Sequence, residues 1–160
     1  MEEKKDGHRY MQSVKVIKKI DDIPELKEIL ITISESKTHK QMSQYSLLLA
    51  KHILEISEVE CCSAIAECFD INKKWQNGEA KFQDARQVAF MVNRLAREEK
   101  DPVKVKVLRA MGQVAATPHV KWHALVASEY AITLINVMYP KNLEEVKKER
   151  EIQIELMKSV

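Results

Sequence analysis

The chain has 160 residues, 45% of them hydrophobic and 31% charged, with a formal net charge of +2. That balance belongs to a globular chain able to bury a sizeable core, and it excludes an intrinsically disordered one. Acids and bases are interleaved, which argues against a nucleic-acid binder and against an acidic nucleic-acid mimic.

The opening run Met1-Glu2-Glu3-Lys4-Lys5-Asp6 is polar and has no apolar stretch, so no secretory signal is expected. Residues 1–20 read as a basic amphipathic helix, with Arg9, Lys15, Lys18 and Lys19 beside Tyr10, Val14, Ile17 and Ile20. Such a helix can lie on an anionic membrane or on a partner. Asp21 and Asp22 follow at once, so closing one end of a bundle is the simpler role, and no membrane partner is expected.

Pro24, after Asp21-Asp22, opens the next helix, with a stripe of Leu26, Ile29, Leu30 and Ile33. Thr38-x-x-Gln41 has capping-box spacing, in which two side chains satisfy each other's orphan backbone donors. The helix it opens carries Tyr45, Leu48, Leu49, His52, Ile53 and Ile56 on one face. Ser57-x-x-Glu60 repeats the spacing and predicts a further helix start. Cys61, Cys62 and Cys68 are odd in number, and the adjacent pair would make a strained disulfide. Reduced thiols in a cytoplasmic protein are therefore expected.

The run from Ser63 to Gly78 tempts a helix-turn-helix reading. Only three residues separate Ile71 from Trp75, too few for a recognition helix, and no turn residue stands near Cys68-Phe69. One continuous helix ending at Asn77-Gly78 fits better. Next come the stripe Ala85, Val88, Ala89, Val92, Leu95, Ala96 and, after Asp101-Pro102, the stripe Val103, Val107, Ala110, Met111, Val114. Gly112 falls inside this pattern. Thr117-Pro118 predicts another capped start, in the manner of Asp101-Pro102.

From Trp122 to Met138 the chain is apolar nearly all round, with Glu129 as its only acid or base. Such a helix belongs at the centre of a bundle. A membrane span would be longer and free of His123, Glu129 and Asn136. Asn142 ahead of Leu143-Glu144-Glu145 caps a last helix. There Glu144, Glu145 and Glu149 mix with Lys147, Lys148 and Arg150, the pattern of a solvated face. The expected fold is all-α: one compact multi-helix bundle of about six to seven helices, in a single domain over residues 1–160.

Three features invite a chemical reading. His119 and His123 are four apart and would share a helix face, the spacing of two metal ligands. No His-Glu-x-x-His pattern completes a site, and bonds to neighbouring backbone or carboxylates account for both rings. No metal and no cofactor are expected. Glu129, buried in an apolar helix, needs a partner or a proton; Arg86 and Arg109 are candidates. Arg86, Arg109, His119, His123 and Glu129 thus form a candidate polar cluster. No nucleophile–base–orienter arrangement is legible, so no catalytic residue is named.

Several short motifs in order resemble the all-α bacterial immunity proteins of polymorphic-toxin systems. The clearest is Trp75-Gln76-Asn77-Gly78-Glu79, followed by Ala85-Arg86, Ala89-Phe90 and Ala96-Arg97. Ala110 to Val120, His123-Ala124-Leu125, Tyr130-Ala131 and Lys148-Glu149-Arg150 continue the likeness, which runs from about Tyr45 to Met157. The resemblance implies a non-enzymatic protein that neutralises a cognate toxin by direct binding, with no catalytic residues to carry over. It marks Trp75, Gly78 and Glu79 as motif residues. Two alternatives stand beside it: a bundle with a metal or small-molecule pocket near His119, His123 and Glu129, and a general helical adaptor.

Overall fold

A computed structural model of the chain describes residues 20–160. The expected N-terminal basic helix falls, apart from Ile20, outside the described residues. Seven helices follow: α1 Pro24–Ser34, α2 His39–Ser57, α3 Ser63–Gln76, α4 Phe82–Glu98, α5 Pro102–Ala116, α6 His123–Met138 and α7 Leu143–Lys158. The described residues contain no strand, and the all-α expectation holds.

Local chemistry sets most of the boundaries. The Thr38 side chain accepts from Gln41 N, and the Gln41 side chain accepts from Thr38 N, so the capping box forms. Asp101 accepts from Val103 N and Lys104 N, and Asn142 from Glu145 N. Asp84 accepts from Lys81 N at the start of α4.

Two expected starts are wrong. α2 runs on through Ser57, whose hydroxyl accepts from Val59 N, and Glu60 lies in the link before α3. Thr117 does not open a helix. Its hydroxyl donates to Gln113 O and finishes α5, and a turn over residues 117–122 separates it from α6. A hydroxyl that can bond back to the i−4 carbonyl serves a helix end as readily as a start. His119 therefore lies in that turn, and only His123 is helical.

The core gathers around α5 and α6. From Ala124 to Ile135 every residue of α6 is buried, as its lack of a polar face predicts. Ala110, Ala115, Ala116, Ala124, Ala127 and Ala131 keep both helices slim where they meet. Gly112 explains its own place in a helix: a Cβ there would stand 2.8 Å from Asn93 Oδ1 on α4. Ile29, Leu48 and Leu95, assigned to buried stripes by periodicity, are exposed. Each stands at the edge of its stripe, where the neighbouring helix does not reach.

The Trp75–Glu79 motif is a helix stop. Gly78 has φ +74°, Glu79 N donates to Lys74 O and Gly78 N to Trp75 O, the paired bonds of a Schellman cap. The Trp75 ring sits 4.6 Å from the His39 ring, tying the end of α3 to the start of α2. Gly78→Ala is expected to cost roughly 1–2 kcal/mol, because an L side chain is strained at this φ although nothing crowds it. Urea unfolding checks this, and an unchanged midpoint would show that the cap relaxes.

Candidate functional site

The five residues of the predicted polar cluster do not share one place. Among the described residues Glu129 forms an ion pair with Lys27 on α1, 2.6 Å from Nζ to Oε1, and none with Arg86 or Arg109. His123 lies six residues earlier on the same helix, about 9 Å along its axis and about 120° around it, and its ring bonds to Gln113 on α5 rather than to Glu129.

Around Lys27 and Glu129 the interface of α1, α2, α6 and α7 holds a connected polar layer. The Arg150 guanidinium grips Asp22 with two bonds, Nε to Oδ1 at 2.9 Å and Nη2 to Oδ2 at 2.7 Å. Its Nη1 donates to Gln153 Oε1. Gln153 Nε2 donates to Ser128 O and to Glu149 Oε2, and Glu149 Oε1 pairs with His52 Nε2 at 2.7 Å. Tyr45 closes the layer with a 2.6 Å bond between its hydroxyl and that of Ser128.

Glu149 and Arg150 were expected on a solvated face. Both are buried, at 2% and 1% exposure, because they meet partners far away in the sequence, His52 on α2 and Asp22 in the segment before α1. Burial disfavours charge on Asp22, yet the hydrogen bond and charge of Arg150, with Ile23 N–H and Lys27, hold its pKa below the ordinary value. Burial likewise opposes the His52 imidazolium, but Glu149, with Glu55 adding its charge, carries its pKa above normal. These bonds join side chains from the segment before α1, α2, α6 and α7, so this layer fixes how the helices sit.

The face formed by α4, α5 and α6 is open. Phe82, Arg86, Phe90 and Arg94 follow one another at i, i+4 along α4, and all four are exposed. Phe90 is 53% exposed, and the Arg86 guanidinium lies 5.4 Å from its ring centroid. Beside this ridge is a groove of about 530 Å³, lined among others by Phe90, Arg94, Arg97, Arg109, Gln113 and Tyr130. Arg109 Nη1 donates to Asn93 Oδ1 at 3.4 Å. Among the described residues no carboxylate forms an ion pair with Arg86, Arg94, Arg97 or Arg109. The sequence reading missed Phe90, Arg94 and Arg97 as a surface; their i, i+4 recurrence with Phe82 and Arg86 was the available signal.

At the end of this face the His119 ring stacks on Phe82 at 5.4 Å and lies 6.3 Å from the His123 ring. His123 Nδ1 bonds to Gln113 Oε1 at 2.7 Å. Among the described residues no group of three or more His, Cys, Asp or Glu side chains is arranged to hold a metal. The Cys68 thiol is buried, which pushes its pKa up to about 12, while Cys61 and Cys62 are exposed.

Burial, with the charge of His119 adding, pushes the His123 pKa down from 6.5 to about 4. Its folded value is lower than its unfolded one, so protonation favours unfolding. Stability is whole above pH 6.5 and drains as pH falls toward 4, by up to about 3 kcal/mol at about 1.4 kcal/mol per pKa unit. His52 works in the opposite sense: its raised pKa contributes stability below the ordinary histidine value that is lost as pH rises through the folded one. Unfolding at pH 7 and pH 4.5 is expected to show the wild type losing more stability than His123→Gln; equal losses would mean His123 is protonated without cost.

No helix among the described residues is long and apolar enough to cross a membrane. A family model described as Imm-5 like putative immunity protein matches residues 32–160. It extends beyond the likeness read from the motifs at both ends. No curated protein and no solved structure matches the chain.

Proposed function

The chain belongs to the Imm-5 like immunity family, and on that premise we propose that it neutralises a cognate bacterial protein toxin by binding it directly in the cytoplasm. The observation that carries this reading is the family match over residues 32–160, from the end of α1 through α7. The open face supports it. Aromatic residues and arginine are enriched where protein interfaces make their strongest contacts, and α4 offers both, exposed and in register. The buried polar layer supplies the rigid scaffold that such recognition needs, because ordering a loose surface on binding costs affinity.

Affinity capture from the native lysate, followed by a toxicity assay of the captured partner, tests the proposal. The expected result is a toxin as the main partner, silenced at a one-to-one ratio with this chain. Turnover of a small substrate by the purified protein, or a toxin that stays active when saturated with it, would overturn the reading. An ordinary cellular protein as the main partner would favour the helical adaptor.

A further inference from the structure

The groove beside the α4 ridge is specific enough to define its occupant's chemistry. Arg94 and Arg97 approach it from α4 and Arg109 from α5, so two helices aim guanidinium groups at one concavity. Arginine presents a planar fork of donors that matches a carboxylate in two bonds. The absence of any ion pair to these arginines among the described residues leaves that fork to an incoming acid. Gln113 and Tyr130 add neutral polar groups to the lining, and the exposed Phe90 ring forms an apolar wall.

We propose that this groove receives an acidic segment of the partner protein, whose carboxylates pair with Arg94, Arg97 and Arg109 while an apolar side chain of the segment packs on Phe90. The inference rests on the toxin-binding reading and adds the face and the chemistry to it. A polypeptide fits better than a nucleic acid. The chain as a whole carries only +2, with 24 acids against 26 bases, whereas a nucleic-acid surface draws its affinity from a broad positive field. A short groove with an aromatic wall instead suits a few carboxylates on a side-chain-bearing backbone.

The test is an NMR titration of the full chain, following the arginine side-chain N–H signals. The probes are a Glu- and Leu-containing decapeptide, its Lys-for-Glu counterpart and a single-stranded DNA decamer. The acidic peptide is expected to shift the Arg94, Arg97 and Arg109 signals saturably. Arg94→Glu/Arg97→Glu should weaken it by at least about tenfold, the scale of two reversed surface charge contacts. Lys147→Glu/Lys158→Glu, with the same charge change on α7, should leave it alone. Both altered arginines are exposed, so the fold is expected to survive, and amide spectra verify it.

Three results overturn the inference: no shift with the acidic peptide, an equal or stronger response to the basic peptide or to DNA, or concentration-dependent shifts of the same arginines without any peptide. The last would assign the groove to a second copy of the chain. A captured toxin that binds wild type and Arg94→Glu/Arg97→Glu equally also overturns it, while leaving toxin binding intact. If the acidic peptide binds as expected but no toxin is silenced, the functional proposal fails and the groove's chemistry stands.

Discussion

Replacing Arg150 by alanine is expected to lower the unfolding free energy by about 3–5 kcal/mol, the cost of breaking a buried pair from one side. The guanidinium is 1% exposed and makes three short bonds, two to Asp22 and one to Gln153. Alanine would leave the Asp22 carboxylate in a mostly buried place without its countercharge. It would also strip Gln153 Oε1 of its donor, and with it the link from α7 to the segment that leads into α1.

Asp22→Leu/Arg150→Met should recover much of the loss, since replacing both partners removes the desolvation problem along with the attraction. The cycle of single and double variants, read by urea unfolding, isolates the coupling. A loss under about 1 kcal/mol for Arg150→Ala would show that water takes the place of the guanidinium, and the layer would then have no structural role. The same pair sets an acid limit. Because the Asp22 pKa is lowered on folding, its contribution is complete above the ordinary value of 3.8 and is lost as pH falls through the folded one.

Tyr45→Ala is expected to be comparably damaging, at about 3–5 kcal/mol. Tyr45 is fully buried on α2, and its ring fills the space against α6, where the Ser128 hydroxyl meets its own. Tyr45→Phe separates the two contributions. It keeps the ring and removes one hydroxyl, and Ser128 Oγ still donates to Ala124 O, so about 1 kcal/mol is expected. If Tyr45→Phe costs as much as Tyr45→Ala, the polar layer rather than the packing governs this interface. Melting and urea unfolding of both variants decide between them.

The helices themselves were legible because the signals that make them are local. Thr38, Asp101 and Asn142 cap backbone groups two or three residues away, and the Gly78 stop is completed within α3 and its first following residues. The apolar run from Trp122 to Met138 predicted the central helix for the same reason: a helix without a polar face has nowhere else to go. Local signals failed where one residue type serves two local ends. Ser57 and Thr117 have hydroxyls that can finish a helix as well as start one, and spacing alone does not choose.

The polar residues tell the other half. Glu129 needed a partner, and its charge and surroundings said so, but Lys27 lies 102 positions away and Arg86 and Arg109 were the nearer guesses. Arg150 and Asp22 are 128 apart, and in a charge-mixed helix nothing distinguishes the inward arginine from its solvated neighbours. Arg94, Arg97 and Arg109 become one groove only when α4 and α5 lie side by side.

By itself, then, the sequence determined an all-α chain, most of its helix ends, its central helix and its immunity-family likeness, because caps and periodicity act over a few residues. The tertiary structure alone decided which charges are buried, which pair, and which arginines face outward together. Those outcomes depend on contacts between helices remote in the chain, and a charged side chain looks the same in a sequence whether its partner is water or a carboxylate on another helix.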